Sequence, residues 1–237
     1  MATIVELAPV LAEAGNAEFA IVNGVWNARE QTERFARDRG HAYWRPAEGG
    51  AGQEELDRAL AAADVLVLAP TVATGAVMRQ PADGAEAGRR LGHRLLDRLG
   101  ARRPGVHVVL ISHFLVGHGA AHRNAKPSTW GLRALEAHLR GGPNRWTILR
   151  PTWLSTIHDA SYQTRLSQDQ HADGLVSRDS IAAAVITAVE HPHAAAGRTA
   201  AVFNLSVPQG GGTDLAAQFG ALDLDYEAEF AAQPVGA

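Results

Sequence analysis

The sequence predicts an α/β protein with a doubly wound, mostly parallel sheet and a small substrate cap from the C-terminal third. Two observations lead to this prediction. Strand-like and helix-like segments alternate along the chain, and most of the strand-like segments are apolar throughout rather than on alternate residues. Apolar strands of that kind are buried between two layers of helices, as in a parallel sheet. A length of 237 residues fits one domain, 1–237.

The first half of the chain is predicted to alternate without interruption. Its elements are strand 18–24, helix 28–39, strand 41–46, helix 54–63 and strand 64–70. The run 64–70 reads DVLVLAP and is the most apolar of these strands, so it is expected in the middle of the sheet. Residues 1–17 precede the first predicted strand and look helical, so they are interpreted as an N-terminal extension.

The second half continues the same alternation. Its elements are helix 84–100, strand 106–112, a helix around 132–139, strand 146–151, helix 178–192 and strand 200–206. In helix 84–100, Leu91, Leu95 and Leu99 share one face, which is therefore expected to pack on the sheet. Residues 151–177 and 207–237 are expected to form the cap and tail beside the sheet.

Composition restricts the classes of function. The net charge is −3, which offers no basic surface for nucleic acid, and no apolar run has the length of a membrane span. The chain has no cysteine, which excludes disulfides, thiolate catalysis and cysteine-bound metals. The N-terminus lacks the features of a signal peptide. We expect a cytoplasmic monomer or homodimer whose partner is a small-molecule substrate.

In a doubly wound sheet, ligands bind outside the carboxyl ends of the strands. The loops that begin there are expected near Gly24, Pro70, Ser112 and Pro151. Thr71 and Thr152 are therefore candidate substrate-binding residues.

Several runs along the predicted sheet, in the right order, carry a family resemblance. They read DRGHAYWRP, EELDRALAAADVLVLAP, VHVVLIS, ALEAHLRGGPNRWTILRPTWL and SRDSIAAAVITAVEHP. Over roughly residues 18–215 the chain resembles the atypical, NmrA-like branch of the short-chain dehydrogenase/reductase superfamily. The resemblance implies a Rossmann-like, NAD(P)-binding fold, and it implies that Arg45 could meet the 2′-phosphate of NADP.

The cofactor-binding turn departs from the family pattern Gly-x-x-Gly-x-x-Gly. Aligned with that pattern, Gly24 keeps the first glycine, while Asn27 and Glu30 replace the second and third. The second glycine normally lets the backbone approach the pyrophosphate, and a carboxylate in the first turn of the helix repels phosphate. Trp26 is large enough to fill part of the groove. Gly24, Trp26, Asn27 and Arg45 are the cofactor-binding candidates, if a cofactor binds at all.

The family's Tyr-x-x-x-Lys pair is also missing. Counting back from Glu136, its expected positions hold Ser128 and Leu132, and a shift of one residue gives Thr129 and Arg133. In the family the lysine lowers the pKa of the tyrosine, which donates a proton during hydride transfer. Atypical members often lack the pair, so its loss does not exclude a reductase.

Histidines supply the remaining acid/base candidates. Ser112, His113 and His118 follow the predicted strand 106–112, beside the expected pocket, and histidine titrates near neutral pH. A metal bound by His113, His118 and His122 is disfavoured, because no carboxylate is nearby and the spacing is irregular. No Gly-x-Ser-x-Gly motif surrounds Ser112, which disfavours a hydrolase. Each histidine could instead simply bond to loop backbone.

The loop after strand 146–151 adds His158 and Tyr162 as catalytic candidates. Trp130 and Trp153 could stack on a flat substrate, although core packing explains a tryptophan equally well. We predict no metal.

Three functions follow from these residues. The preferred hypothesis is a metabolic enzyme that requires no cofactor and performs acid/base isomerisation, cyclisation or dehydration. The first alternative is an NADPH-dependent reductase that binds NADP(H) despite its divergent turn. The second is a non-catalytic, NmrA-like regulatory protein that senses nucleotide.

Overall fold

The computed structural model describes residues 1–11, 23–71, 80–118, 122, 126–159, 161–208 and 212–225. The strands are β1 (Thr3–Leu7), β2 (Ala42–Trp44), β3 (Val65–Leu68), β4 (His107–Ile111), β5 (Arg145–Pro151), β6 (Trp153–Leu154), β7 (Thr164–Ser167), β8 (Leu175–Val176) and β9 (Arg198–Asn204). The helices are α1 (Arg29–Asp38), α2 (Gln53–Ala62), α3 (Pro81–Leu91), α4 (Arg98–Arg102), α5 (Leu115–His118), α6 (Pro127–Arg140), α7 (Arg178–Glu190), α8 (Pro192–Ala195) and α9 (Leu215–Gly220), with a π-helix at Gly92–Asp97 between α3 and α4.

Within the described residues, the main sheet has seven strands in the order β2-β1-β3-β4-β5-β9-β7. Each neighbouring pair is parallel except β9 and β7, which are antiparallel. This arrangement confirms the predicted doubly wound, mostly parallel sheet. β6 and β8 form a separate two-stranded parallel sheet. β7 comes from the segment predicted as a cap, and it lies at the edge of the main sheet.

Helices cover both faces of the sheet, and each face has its own hydrophobic core. In β1, Val5 and Leu7 belong to one core, while Ile4 and Ala8 belong to the other. Successive side chains of a strand point to opposite faces, which explains the alternation. The first core also holds leucines from α3, the π-helix and α6, and the second holds the apolar face of α7. Truncating one such buried leucine to alanine costs about 2–5 kcal/mol.

The first strand of the sheet is β1 at Thr3–Leu7, in a central position between β2 and β3. The predicted helical extension at 1–17 is therefore wrong over this stretch, and 18–24 is not the first strand. Residues 12–22, which contain most of that predicted strand, lie outside the described part of the chain. Asn23 forms only an isolated bridge with Pro9.

A buried ion pair explains how β1 tolerates a charge. Glu6 is fully buried, and its carboxylate accepts hydrogen bonds from Arg29 Nε at 2.8 Å and from the Tyr43 hydroxyl at 2.5 Å. A buried carboxylate needs such partners, because desolvation otherwise costs several kcal/mol. The network ties β1 to the first residue of α1 and to β2.

Helices α3 and α6 approach each other closely through glycines. A Cβ at Gly84 would lie 1.7 Å from the carbonyl oxygen of Pro127, and one at Gly88 would lie 2.1 Å from that of Gly131. Any larger residue would push the helices apart. This contact fixes the start of α6, and with it the residues that α6 presents at the carboxyl edge of the sheet.

Among the helices of the described ranges, none combines the length and the hydrophobicity that crossing a membrane requires.

Candidate active site

A cleft of about 720 Å³ opens at the carboxyl ends of β3, β4 and β5. Its walls come from the residues that follow these strands, from the segment before α1, and from the first turns of α6. The lining residues are Val25, Trp26, Asn27, Ala69, Pro70, Thr71, Ile111, Ser112, His113, Leu115, Lys126, Ser128, Thr129, Leu132, Pro151, Thr152, Trp153, Leu154 and Ile181. This is the edge at which doubly wound sheets bind ligands.

About half of the candidate residues from the sequence meet in this cleft. Those that line it are Trp26, Asn27, Thr71, Ser112, His113, Thr152 and Trp153. Those placed outside its lining are Gly24, Arg45, His118, Trp130, His158 and Tyr162. The residues that follow β3, β4 and β5 line the cleft, as do Trp26 and Asn27 before α1, whereas those of the segment after β6 do not.

Two of the predicted catalytic residues contact each other instead of the cleft. The rings of His158 and Tyr162 stack with their centroids 4.1 Å apart and their planes at 12°. His118 packs edge-on against Phe114, and its Nε2 lies 3.3 Å from the carbonyl oxygen of Ala172. Each of these histidines therefore has a local packing role.

The candidates Trp130 and Arg45 also have partners away from the cleft lining. The Arg133 guanidinium lies 5.3 Å from the ring centroid of Trp130. Arg45 lies just beyond the end of β2 and donates from Nε to Glu33 at 3.1 Å. Arg45 is partly exposed, so this ion pair could exchange for another anion without a large desolvation cost.

The connection between β1 and α1 differs from the predicted glycine turn. β1 ends at Leu7 and α1 begins at Arg29, so the first strand does not run directly into the turn at Gly24 as predicted, although Glu30 does lie in the first turn of α1. Instead, the chain continues past β1 and makes a parallel bridge between Val10 and Thr71.

Gly24 holds this connection against the loop after β3. Its amide donates to the carbonyl oxygen of Ala8 at 2.7 Å. A Cβ at Gly24 would lie 2.3 Å from Thr71 Oγ1, so a larger residue would displace the loop. Gly24 thus keeps a close-packing role, although it does not line the cleft.

The start of α1 offers donors that suit a nucleotide cofactor. Ala28 precedes α1, and no side chain in the described residues caps its free amides, which are a common anion-binding feature. Trp26 Nε1 and Asn23 Nδ2 are buried donors without a partner among the described residues. Buried donors rarely stay unpaired, because each costs about 1–3 kcal/mol. The free amides of α1 and the Trp26 indole, which lines the cleft, therefore fit a group rich in acceptors, such as a dinucleotide.

Ser112 is held by a buried carboxylate. Its hydroxyl donates to Glu136 Oε1 at 2.6 Å, and Glu136 also accepts from Arg150 Nε at 3.0 Å and Nη2 at 2.6 Å. Burial raises the pKa of Glu136, but the bonds from Arg150 and Ser112 and the charge of Arg140 together bring it below its ordinary value. Glu136 is consequently an ionised acceptor and a weak base. Ser112 is oriented, not activated as a nucleophile.

His113 is a neutral hydrogen-bond donor at neutral pH. Burial, together with the charge of Lys126, lowers the pKa of His113 to about 4. The Leu115 amide donates to His113 Nδ1 at 3.2 Å, which assigns the ring hydrogen to Nε2. The ring packs edge-on against Trp153, with the centroids 5.9 Å apart. His113 therefore offers a fixed N–H donor in the wall of the cleft.

The first turn of α6 presents the positions where the family carries its tyrosine. Ser128 and Thr129 both line the cleft, as does Leu132 at the position of the usual lysine. Neither hydroxyl can act as a strong acid, because alcohols lack the acidity of a phenol. Lys126, which also lines the cleft, supplies a positive charge.

Glu136, Arg150 and Lys126 were not among the residues selected from the sequence. Glu136 and Arg150 belong to the run ALEAHLRGGPNRWTILRP, which carried the family resemblance, so the signal was present. Their contact joins α6 to β5, and sequence spacing does not reveal a contact between two elements. Lys126 is the only lysine of the chain, and that fact alone could have singled it out.

The fold and the cleft define a class: a Rossmann-like protein whose ligand site has the position and the donors of a nucleotide-cofactor site. Comparison with known families agrees. Residues 28–192 match the family described as NAD(P)H-binding, and the chain belongs to that family. This confirms the resemblance to the atypical short-chain dehydrogenase/reductases. No curated protein sequence matches the chain significantly.

Solved structures share the fold at low sequence identity. One is described as an NAD-dependent epimerase/dehydratase from Bacillus halodurans, with a TM-score of 0.62 and 14% identity over 94% of this chain and 100% of that chain. A wide-type short-chain dehydrogenase/reductase from Veillonella parvula, in complex with NADP, has a TM-score of 0.51 and 17% identity over 88% and 98%. RMD from Pseudomonas aeruginosa, complexed with NADPH, has a TM-score of 0.52 and 13% identity over 88% and 80%.

Family membership corrects one prediction. The expectation that the protein requires no cofactor is wrong, because the matched family binds NAD(P)H. That expectation rested on Asn27 and Glu30 at the glycine positions of the cofactor-binding turn.

Proposed function

We propose that the protein is an NAD(P)H-dependent reductase of a small carbonyl compound. The observation that carries the proposal is His113, a neutral N–H donor in the wall of a cleft at the carboxyl ends of β3, β4 and β5. Membership of an NAD(P)H-binding family supports the cofactor. When bound, the reduced nicotinamide supplies a hydride.

The residues of the cleft have separate roles in this proposal. His113 Nε2–H donates to the carbonyl oxygen of the substrate, where negative charge develops as the carbonyl is reduced. The ammonium of Lys126 stabilises the same charge and can provide the proton. Glu136 keeps Ser112 in place behind this group. A histidine that stays neutral is suited to donating a hydrogen bond throughout the reaction.

The rest of the cleft favours an apolar substrate body. Trp153, Leu154 and Ile181 line it, and the apolar part of a substrate packed on them would displace water from the reacting atoms. Thr71 and Thr152 add hydroxyl groups at the ends of β3 and β5. We therefore expect an uncharged ketone or aldehyde with an apolar substituent.

Two measurements test the proposal. Calorimetric titration with NADPH and NADH should show binding of at least one at micromolar concentration, and absorbance should then report oxidation of that cofactor by a panel of apolar ketones and aldehydes. Absence of cofactor binding would refute the proposal. Binding without turnover of any carbonyl would instead favour the regulatory alternative.

Variants separate the roles of the cleft residues. His113→Ala should lower kcat about 100-fold or more, because it removes a donor to the developing charge. Lys126→Met should also lower kcat. His193→Ala, at an exposed histidine in α8, is the control and should keep the wild-type rate. Equal rates in His113→Ala and the control would show that another group polarises the carbonyl.

A further inference from the structure

Three potential metal ligands meet where the π-helix packs against α6, in a cluster that shares no residue with the cleft lining. Asp97 Oδ2 lies 2.8 Å from His93 Nδ1, and Asp97 Oδ1 lies 2.6 Å from His138 Nε2. The two imidazole rings are nearly perpendicular, at 87°, with their centroids 4.8 Å apart. Two histidines thus share one carboxylate across two helices.

The backbone of the π-helix allows these three side chains to approach one another. His93 and Asp97 lie four residues apart in the π-helix, a rare conformation that is frequent at functional sites. A Cβ at Gly92 would lie 2.6 Å from Cγ of His138, so the His138 ring fits against the π-helix only because residue 92 is glycine. The absence of a side chain at Gly92 therefore leaves room for the His138 ring.

The ligand atoms have the chemistry and the spacing of a zinc site. One ligand atom from each residue can be chosen so that all three lie within 4.8 Å of one another. Tetrahedral Zn²⁺ takes imidazole nitrogen and carboxylate oxygen at about 2.0–2.2 Å, which puts ligand atoms about 3.3 Å apart. As the metal replaces the shared hydrogens, the two Asp97 contacts would open by about 0.5–0.7 Å, and the widest pair of ligand atoms, up to 4.8 Å apart, would close by as much as about 1.5 Å.

The exposure of the three side chains suits such an adjustment. Those of His93 and Asp97 are 66% and 54% exposed and can move, while that of His138 is 17% exposed and is held by packing. The carboxylate of Glu86 interacts electrostatically with His93, but its charge is offset by ion pairs with Arg89 and Arg90, so the cluster's own Asp97 is the charge that attracts a cation. A cation arriving from solvent therefore meets two adjustable ligands and one fixed ligand.

We propose that His93, Asp97 and His138 form a Zn²⁺ site in which water takes the fourth position. The metal would join the π-helix to α6, the helix whose first turn lines the cleft. A plain pair of Asp–His hydrogen bonds, which is the alternative, would bind no metal.

Calorimetric titration of chelator-treated protein with ZnCl₂ tests the site. Wild-type protein and the control His193→Ala should bind one more equivalent of zinc than His93→Ala and His138→Ala do. The comparison of stoichiometries removes any zinc bound by histidines elsewhere. Asp97→Asn should lower the affinity of this equivalent at least 10-fold. Zinc should also raise the Tm of wild-type protein but not that of His93→Ala.

Gly92→Ala provides a test that removes no ligand. It should weaken zinc binding by displacing the His138 ring, and circular dichroism shows whether this variant is folded. His93 is mostly exposed, so His93→Ala should fold in any case and keeps the test decisive. The proposal is overturned if wild-type protein binds no zinc, or if His93→Ala and His138→Ala bind as much as wild type.

Discussion

Replacing Glu136 by glutamine removes the negative charge that lies between Ser112 and Arg150 while keeping the size of the side chain. Glu136 is 1% exposed and accepts from Ser112 at 2.6 Å and from Arg150 at 2.6 and 3.0 Å. In the variant, the amide oxygen can accept only part of these bonds, and the amide group adds donors that face a guanidinium. Arg150 then remains largely buried without a counter-charge.

The cost follows from the burial of the pair. Breaking a buried ion pair by removing one partner destabilises a protein by about 3–5 kcal/mol. For a chain of 150–250 residues, each kcal/mol lowers the Tm by about 2–4 °C, so Glu136→Gln should lower it by roughly 6–20 °C. Because the pKa of Glu136 lies below its ordinary value of 4.5, the carboxylate stabilises the fold above that pH. This contribution is lost as the pH falls through the lower, folded-state pKa.

Thermal unfolding followed by circular dichroism, at pH 7 and at several lower pH values, measures both effects. The control is Glu86→Gln, which removes an exposed carboxylate that pairs with Arg89 and Arg90, and which should leave the Tm within about 2 °C. Below pH 4.5 the Tm of Glu136→Gln should also change less with pH than the Tm of wild type does. A Tm for Glu136→Gln as close to wild type as that of the control would refute the reasoning.

Three further outcomes are expected. Burial lowers the pKa of His107 from 6.5 to about 4, so between these pH values the unfolded state binds more protons and stability falls as the pH drops. Over this range the free energy of unfolding of His107→Gln, measured by denaturant titration, should fall by about 3 kcal/mol less than that of wild type. Gly88→Ala should destabilise by about 1–3 kcal/mol, because its Cβ would meet the Gly131 carbonyl, whereas Gly220→Ala, with open space around it in α9, should not; equal denaturation midpoints would contradict this. Trp26→Phe should weaken NAD(P)H binding about 5–10-fold in calorimetry, because it removes a buried donor that has no described protein partner, and an unchanged affinity would assign the indole to packing alone.

The sequence was sufficient for the middle of the sheet and insufficient for its first strand. β3 reads VLVL and β4 reads HVVLI, and short apolar runs of this kind are typical of buried strands. β1 contains Glu6, which breaks the pattern. It is stabilised there by Arg29 and Tyr43, whose approach depends on the folded chain.

The candidate site divides in the same way. Ser112, His113 and Thr152 were found because the ends of parallel strands share one edge, a rule that needs only strand positions. His158 and Tyr162 were expected in the cleft but lie outside its lining. The path of their loop depends on contacts, such as the stacking of their rings, that cannot be deduced from sequence spacing. Glu136 could not be selected from the sequence, because its role depends on the packing of α6 beside β5, where it meets Arg150.

The long connection between β1 and α1 has a consequence for the rate of folding. In a strand–turn–helix unit with a tight turn, the two elements meet early because little chain separates them. Here residues 8–28 intervene, which adds about 1 kcal/mol to the entropy cost of closing the loop. The glycine contacts between α3 and α6 join residues that are 43 positions apart, so they close a still longer loop. Both contacts are non-local in sequence, and their formation should therefore limit the rate of folding more than the formation of any single helix does.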